Sequence, residues 1–130
     1  MNIIGNGVDI IENERIKKSL KIKGFVSRIF TKNEIKNSIK LKNKTNYFAK
    51  RFAAKEAFVK ALGNGFRDDI NFKDIDISND LKGRPYIKVS KNIKKFLQNK
   101  FKLKKYSFFL SLSDEKKYSI AYVIINKQND

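Results

Sequence analysis

Apolar positions along this chain follow two rhythms, one of period two and one of period 3.6, and their order predicts the architecture. Residues 3–11 form an almost continuous apolar run, which predicts a buried strand; Gly5 and Gly7 within it would let another backbone approach closely. Residues 12–23 read as a helix with Ile16 and Leu20 on its apolar side and Arg15, Lys17, Lys18 and Lys21 on the opposite arc. Thr31-Lys32-Asn33-Glu34 is a capping box, so a short helix should begin at about Lys32 and run toward Leu41. After a polar connector at 42–45, the longest helix is expected from near Asn46. It is rich in Ala, Lys, Arg, Glu and Leu, contains no Pro, and is stopped by Gly63-Asn64-Gly65.

The second half of the chain returns to shorter periods. Residues 72–78 alternate Phe72, Asp74 and Asp76 against Lys73, Ile75 and Ile77, as a half-buried strand does. Residues 79–83 make a turn and 84–89 the return strand, with Pro85 tolerable at its start. Ser90 can cap a helix whose inner face is Ile93, Phe96, Leu97 and Phe101. Residues 106–113 and 118–125 read as a hairpin around the turn 114–117, and the polar tail 126–130 is expected to fray. Together these elements predict an α+β fold: one domain over 1–130, with a mainly antiparallel sheet packed against the long helix.

One position breaks the apolar pattern. Wound at about 100° per residue, the long helix places Phe48, Phe52, Val59 and Gly63 on one stripe, with Glu56 inside it and Lys60 at its edge. A carboxylate there needs a reason, because an unpaired buried charge is costly. A metal ion, a cationic partner or a cleft would each supply one; the bland alternative is an ordinary pairing with a nearby Lys or Arg. A second acid, Asp9, lies in the apolar run near the N-terminus. The helix ends at a Gly-rich turn with Lys60 one turn before it and Arg67 just after. Two buried acids beside such a loop suggest a divalent cation holding a phosphorylated ligand.

Composition narrows the chemistry further. The chain has no Cys and no His, which excludes disulfides, thiolate metal sites and His-dependent triads. Acid–base work then falls to Asp, Glu, Lys, Tyr or water, and a metal should be hard and oxygen-bound, Mg²⁺ first. No run of about 18 apolar residues is present and the N-terminus lacks a signal-peptide pattern, so no membrane partner and a cytoplasmic setting are expected. The formal net charge of +17 attracts polyanions, although a Lys/Asn/Ile bias can also reflect an AT-rich coding sequence. A nucleic-acid-binding module is the rival class that this charge and the five Tyr and 11 Phe permit. Most aromatics fall on inward faces, no recognisable binding motif is present, and the two acids have no role there, so no nucleic-acid partner is expected.

Four segments carry a more specific signal. Gly5-Asn6-Gly7-Val8-Asp9-Ile10-Ile11-Glu12 is similar to a G-x-G-x-D-I/L-x-E opening. Arg51-Phe52-Ala53-Ala54-Lys55-Glu56-Ala57, with Lys60-Ala61 through Gly65, is similar to an R-F-A-x-K-E-A signature ending in K-A-x-G-x-G. Gly83-Arg84-Pro85 and Ser111-Leu112-Ser113-Asp114 followed by Tyr118-Ser119-Ile120-Ala121 complete the set. In this order and spacing, the chain resembles the holo-[acyl-carrier-protein] synthases, the small stand-alone type of 4′-phosphopantetheinyl transferase. One departure is Asp114, where some members carry a His that touches the cofactor phosphates.

The resemblance implies an enzyme that moves the 4′-phosphopantetheine arm of coenzyme A onto a serine of apo acyl carrier protein. The reaction releases 3′,5′-ADP, requires Mg²⁺ and serves fatty acid biosynthesis. It implies Asp9 and Glu56 as Mg²⁺ ligands and, with Lys60, as the catalytic group. It assigns Lys60, Gly63, Gly65, Arg51, Arg84, Pro85 and Ser113 to coenzyme A. It also implies a homotrimer with the coenzyme A site between subunits. Carrier proteins are typically acidic around the modified serine, so Arg15, Lys18 and Lys21, with Arg28 beyond them, form the expected dock.

Overall fold

A computed structural model describes residues 2–67 and 69–129. The elements in chain order are β1 (Ile3–Glu12), α1 (Asn13–Ser19), α2 (Phe25–Ile29), α3 (Lys32–Ser38), α4 (Lys44–Leu62), a 3₁₀ turn (Phe72–Asp74), β2 (Ile75–Asn79), β3 (Pro85–Val89), α5 (Lys91–Phe101), β4 (Tyr106–Asp114) and β5 (Tyr118–Lys127). All strand pairing is antiparallel. Three strands form one sheet in the order β1-β5-β4, and β2 and β3 form a separate hairpin. The expected mainly antiparallel α+β architecture is therefore realised as two sheets. No helix among the described residues is long and apolar enough to cross a membrane.

The long helix α4 organises the fold. It lies on β1 and β5, and its alanines Ala49, Ala53, Ala54 and Ala57 are fully buried. The two glycines of β1 explain how the helix comes so close. A Cβ added at Gly5 would sit 2.0 Å from the Ala61 carbonyl oxygen, and one at Gly7 would sit 2.0 Å from that of Ala57. Backbone therefore lies on backbone. The buried surface of α4 also extends beyond the single stripe expected from sequence, since Phe58, Ala61 and Leu62 are buried as well. Gly63 takes the left-handed conformation at φ 74° and closes the helix.

Several boundaries differ from expectation for local reasons. The first helix ends at Ser19, because the chain folds back through Lys21 N to Lys18 O and Ile22 N to Ser19 O, and Gly24 at φ 87° then starts the unexpected α2. The helix α4 begins at Lys44 because the Asn43 side chain caps it by accepting from Asn46 N at 3.3 Å. Residues 72–74 coil into the 3₁₀ turn because Asp74 reaches back to accept from Asn71 N at 2.8 Å, so the strand starts at Ile75. The tail is held in place: β5 runs to Lys127, Gln128 N donates to Lys105 O, and Asn2 donates to Asn129; Asp130 lies outside the described residues. The capping box at Thr31/Glu34 and the Ser90 cap form as expected.

Candidate active site

Alternation along β1 turns Asp9 to the same side as Gly5, Gly7 and Ile11, toward α4. Its side chain is only 16% exposed. Glu56 comes from α4, half-buried, and its carboxyl is pushed above the usual glutamate value, first by burial and then by the Asp9 charge, with Lys60 opposing. Lys60, one turn later, donates from Nζ to the Val8 carbonyl oxygen at 3.0 Å and to Asp9 Oδ1 at 3.1 Å. Glu56 makes no hydrogen bond or ion pair among the described residues, so the bland pairing with a lysine is not realised. The glycine-mediated contact of β1 with α4 is what brings these three side chains to one place.

The remaining expected site residues are dispersed. Arg51 lies about a turn and a half before Glu56 on α4 and faces another side. It is buried, stacks over the Tyr47 ring at 3.7 Å to the centroid, and donates to Tyr47 O and to Asn79 Oδ1. Its Nε has no partner among the described residues. It borders an open depression of ≈ 590 Å³ that Asn46, Lys50, Asn79 and Asp114 also line. Asp114 accepts from Asn46 at 2.7 Å and pairs with Lys50 at 3.2 Å, and these contacts hold its carboxyl below the usual aspartate value. Arg84 and Pro85 sit at the β2–β3 turn, where Asp80 accepts from the amides of Lys82 and Arg84. Ser113 is exposed on the other face of the three-stranded sheet, in register with Ile120 and Ile10. Within one chain it is not brought to the acids.

The Gly-rich turn also differs from its expected role. The amides of Gly63, Asn64 and Gly65 all donate back to Lys60 or Val59 carbonyls, capping α4. A helix C-terminus carries partial negative charge, so this turn offers an anion no amide cradle. What Gly63 and Gly65 provide is room, since an added Cβ at either would meet nothing within 4 Å. The dock residues Arg15 and Lys18 on α1, Lys21 after it and Arg28 on α2 are all exposed.

The sequence reading missed a second acid–lysine pair. Glu34 and Lys55 are both 0% exposed and joined at 2.8 Å. Lys55 also donates to the carbonyls of Phe72 and Ile75, and Glu34 accepts from the amides of Thr31 and Ile77. Burial pulls Lys55 below the usual lysine value, and the Glu34 charge opposes that. The helical wheel held a signal for it: Lys55 falls about 20° from Phe48, as deep in the apolar stripe as Glu56.

Known proteins share the fold and the sequence pattern of this chain. The family model of the 4′-phosphopantetheinyl transferase superfamily matches residues 5–123. A holo-[acyl-carrier-protein] synthase of Pelagibacter ubique is 54% identical over 128 residues, covering 98% of this chain and 100% of the relative. The crystal structure of the synthase from Neisseria meningitidis superposes with a TM-score of 0.84 at 36% identity, covering 96% of this chain and 99% of that one. The Bacillus anthracis synthase, solved in complex with CoA (3′,5′-ADP), gives a TM-score of 0.81 at 35% identity over 98% of this chain and 100% of that one. With its motifs, its fold and its length all matched, the chain belongs to the 4′-phosphopantetheinyl transferase superfamily and, within it, to the holo-[acyl-carrier-protein] synthases.

Proposed function

We propose that the chain transfers the 4′-phosphopantetheine group from coenzyme A to a serine of apo acyl carrier protein, releasing 3′,5′-ADP, with Asp9, Glu56 and Lys60 as its reacting centre. The observation that carries the assignment of residues is the charge balance. Two neighbouring carboxylates are met by one lysine, and of the two acids that lysine bonds Asp9 alone. Hard oxygen donors with a net negative charge fit Mg²⁺, which binds one or two carboxylates together with substrate phosphate oxygens and water. No third acid joins the pair among the described residues, which leaves coordination positions for those groups. Asp9 and Glu56 would hold the ion, and its chemistry there is to offset negative charge on the pyrophosphate of coenzyme A.

The protein's own residues do the rest. The serine Oγ forms a bond to the phosphorus carrying the pantetheine arm, the P–O bond to the second phosphate breaks, and 3′,5′-ADP leaves with the electron pair. The serine proton must go to a base, and Glu56, already raised by burial, is the side chain suited to take it, directly or through a water. Lys60 supplies positive charge for the phosphates.

The site reads as one shared between copies. The outer face of the three-stranded sheet exposes Val8, Ile10, Phe109, Tyr118, Ile120 and Tyr122, a contiguous apolar surface that asks to be covered. Ser113 lies on that face, away from the acids of its own chain. A homotrimer in which a neighbour contributes Ser113, Arg84 and Pro85 would complete the coenzyme A site. The exposed Arg15, Lys18, Lys21 and Arg28 form the dock for an acidic carrier, and the setting is the cytoplasm, serving fatty acid synthesis. Mass spectrometry of an apo carrier protein incubated with this protein, coenzyme A and Mg²⁺ tests the reading. A gain equal to one phosphopantetheine arm is expected; no gain with several carriers would refute it.

A further inference from the structure

Glu56 and Lys60 stand four residues apart on α4 with the acid first, the order and spacing that favour an ion pair along a helix. The lysine does not make that pair. Its ammonium reaches past Glu56 to Asp9 Oδ1 at 3.1 Å and the Val8 carbonyl at 3.0 Å, tying the helix to β1. Its side chain is 53% exposed, so the contact is held at the rim of the site and the four-carbon stem is free to turn outward. We infer that the Lys60 ammonium is the resident cation of the metal-free Asp9/Glu56 site, and that it must leave Asp9 when a divalent cation is bound there. This rests on the metal reading of the two acids given above.

Two carboxylates and one ammonium sum to one negative charge; a divalent ion balances both acids alone and makes the ammonium surplus. Lys60 and the ion then compete for Asp9 Oδ1, and like charges at such a distance repel. Once displaced, the ammonium is a mobile positive charge beside the site, available to an anionic ligand. Lys60 thus has two successive partners: Asp9 without metal, and a phosphate with it. It partly offsets the acids' mutual repulsion in the first state and meets the substrate in the second.

Magnesium binding to the full chain, without coenzyme A or carrier, tests this by titration calorimetry with MgCl₂ beside melting curves. Lys60→Met keeps length and removes charge; it should tighten Mg²⁺ binding about fivefold, the change that matches release of one partly exposed ion pair. It should also lower the metal-free melting temperature by a few degrees, a deficit that vanishes at saturating Mg²⁺. Lys60→Arg should follow the wild type in both measurements. Lys50→Met, whose ammonium is held by Asp114, should leave the Mg²⁺ affinity unchanged, which separates displacement from a change in net charge. Unchanged or weaker binding in Lys60→Met, with Glu56→Gln abolishing binding, would overturn the displacement and leave the metal site standing. Equal tightening in Lys50→Met would overturn it as well. No Mg²⁺ binding by wild type or by any variant would overturn both.

Discussion

Lys55 and Glu56 are neighbours in sequence and stand in opposite electrostatic situations. Lys55 turns into the core, where Glu34 and two carbonyls surround it and nothing is left unpaired. Glu56 turns to the rim, where it finds no partner and shares one lysine's field with Asp9. Both regions pair an acid from another element with a lysine of α4, so residue type does not tell them apart. Saturation does: a closed pair has no capacity for a ligand, whereas an under-neutralised one does. The closed pair also holds α4 against α3 and the start of β2, the frame on which the open one is mounted.

The sharpest way to break the comparison is to open the closed pair. Glu34→Gln leaves Lys55 buried without its counter-charge, which costs about 3–5 kcal/mol. For a chain of this length we expect the melting temperature to fall by roughly 10 °C or more. The Mg²⁺ concentration for half-maximal rate, measured on the fraction that stays folded, should not move. A variant that melts normally and loses its Mg²⁺ response would reverse the assignment of the two pairs.

A smaller effect is expected where the two elements of the open site touch. Gly7→Ala would place a methyl 2.0 Å from the Ala57 carbonyl oxygen, so helix and strand must separate. Overpacking of this kind costs about 1–3 kcal/mol. Because Asp9 and Glu56 then move apart, the rate at saturating substrates should fall in samples shown by circular dichroism to be folded. Gly24→Ala, in open space though at positive φ, should lower stability without that loss of rate.

Charge reversal at Arg15, Lys18 and Lys21 touches neither pair and serves as a third contrast. It should raise the KM for carrier protein by on the order of tenfold while leaving that for coenzyme A nearly unchanged, with a salt dependence typical of steering. Steady-state kinetics at two salt concentrations checks this. A fall in rate that persists at saturating carrier would show that the arc does more than dock.

The smallest expected effect is in pH. Glu56 titrates above its unfolded value, so its contribution to stability is fully present below the ordinary glutamate value of 4.5 and is lost as pH rises through the folded one. In metal-free protein at neutral pH the charged acid is therefore unfavourable, and Glu56→Gln should melt at an equal or higher temperature. That advantage should shrink as pH falls through the folded value of Glu56. Asp114 has the opposite sign, since its lowered value stabilises above 3.8 and the contribution is lost as pH falls. Melting curves across pH on Glu56→Gln and Asp114→Asn should diverge accordingly.

Much of this was legible in the sequence, for local reasons. Period and punctuation located β1, α3, α4, α5 and the closing hairpin, and Gly5 and Gly7 announced the close backbone approach that the structure contains. Glu56 stood out as a carboxylate at the apolar stripe, matched by a second acid, Asp9, near the N-terminus. Lys55 did not, because its partner Glu34 lies on another helix and only the tertiary fold brings them together. The break at 21–24 and the coil at 72–74 depend on hydrogen bonds that backbone and side chains make only in the folded arrangement. The position of Ser113 depends on strand register: its alternation with Leu112 is visible in sequence, but which side faces Asp9 is fixed by pairing through β5.

Glu56 acts in the chemistry, whereas Glu34 and Lys55 hold the frame. The direct measurement is a melting curve and a Mg²⁺ titration of transfer rate on the same preparation of Glu56→Gln. A metal-free melting temperature at or above that of the wild type is expected, together with a rate lower by on the order of 10²-fold or more, as when a charge stabiliser is removed, and partly recovered at high Mg²⁺. A melting temperature several degrees lower, with the Mg²⁺ dependence unchanged, would contradict it.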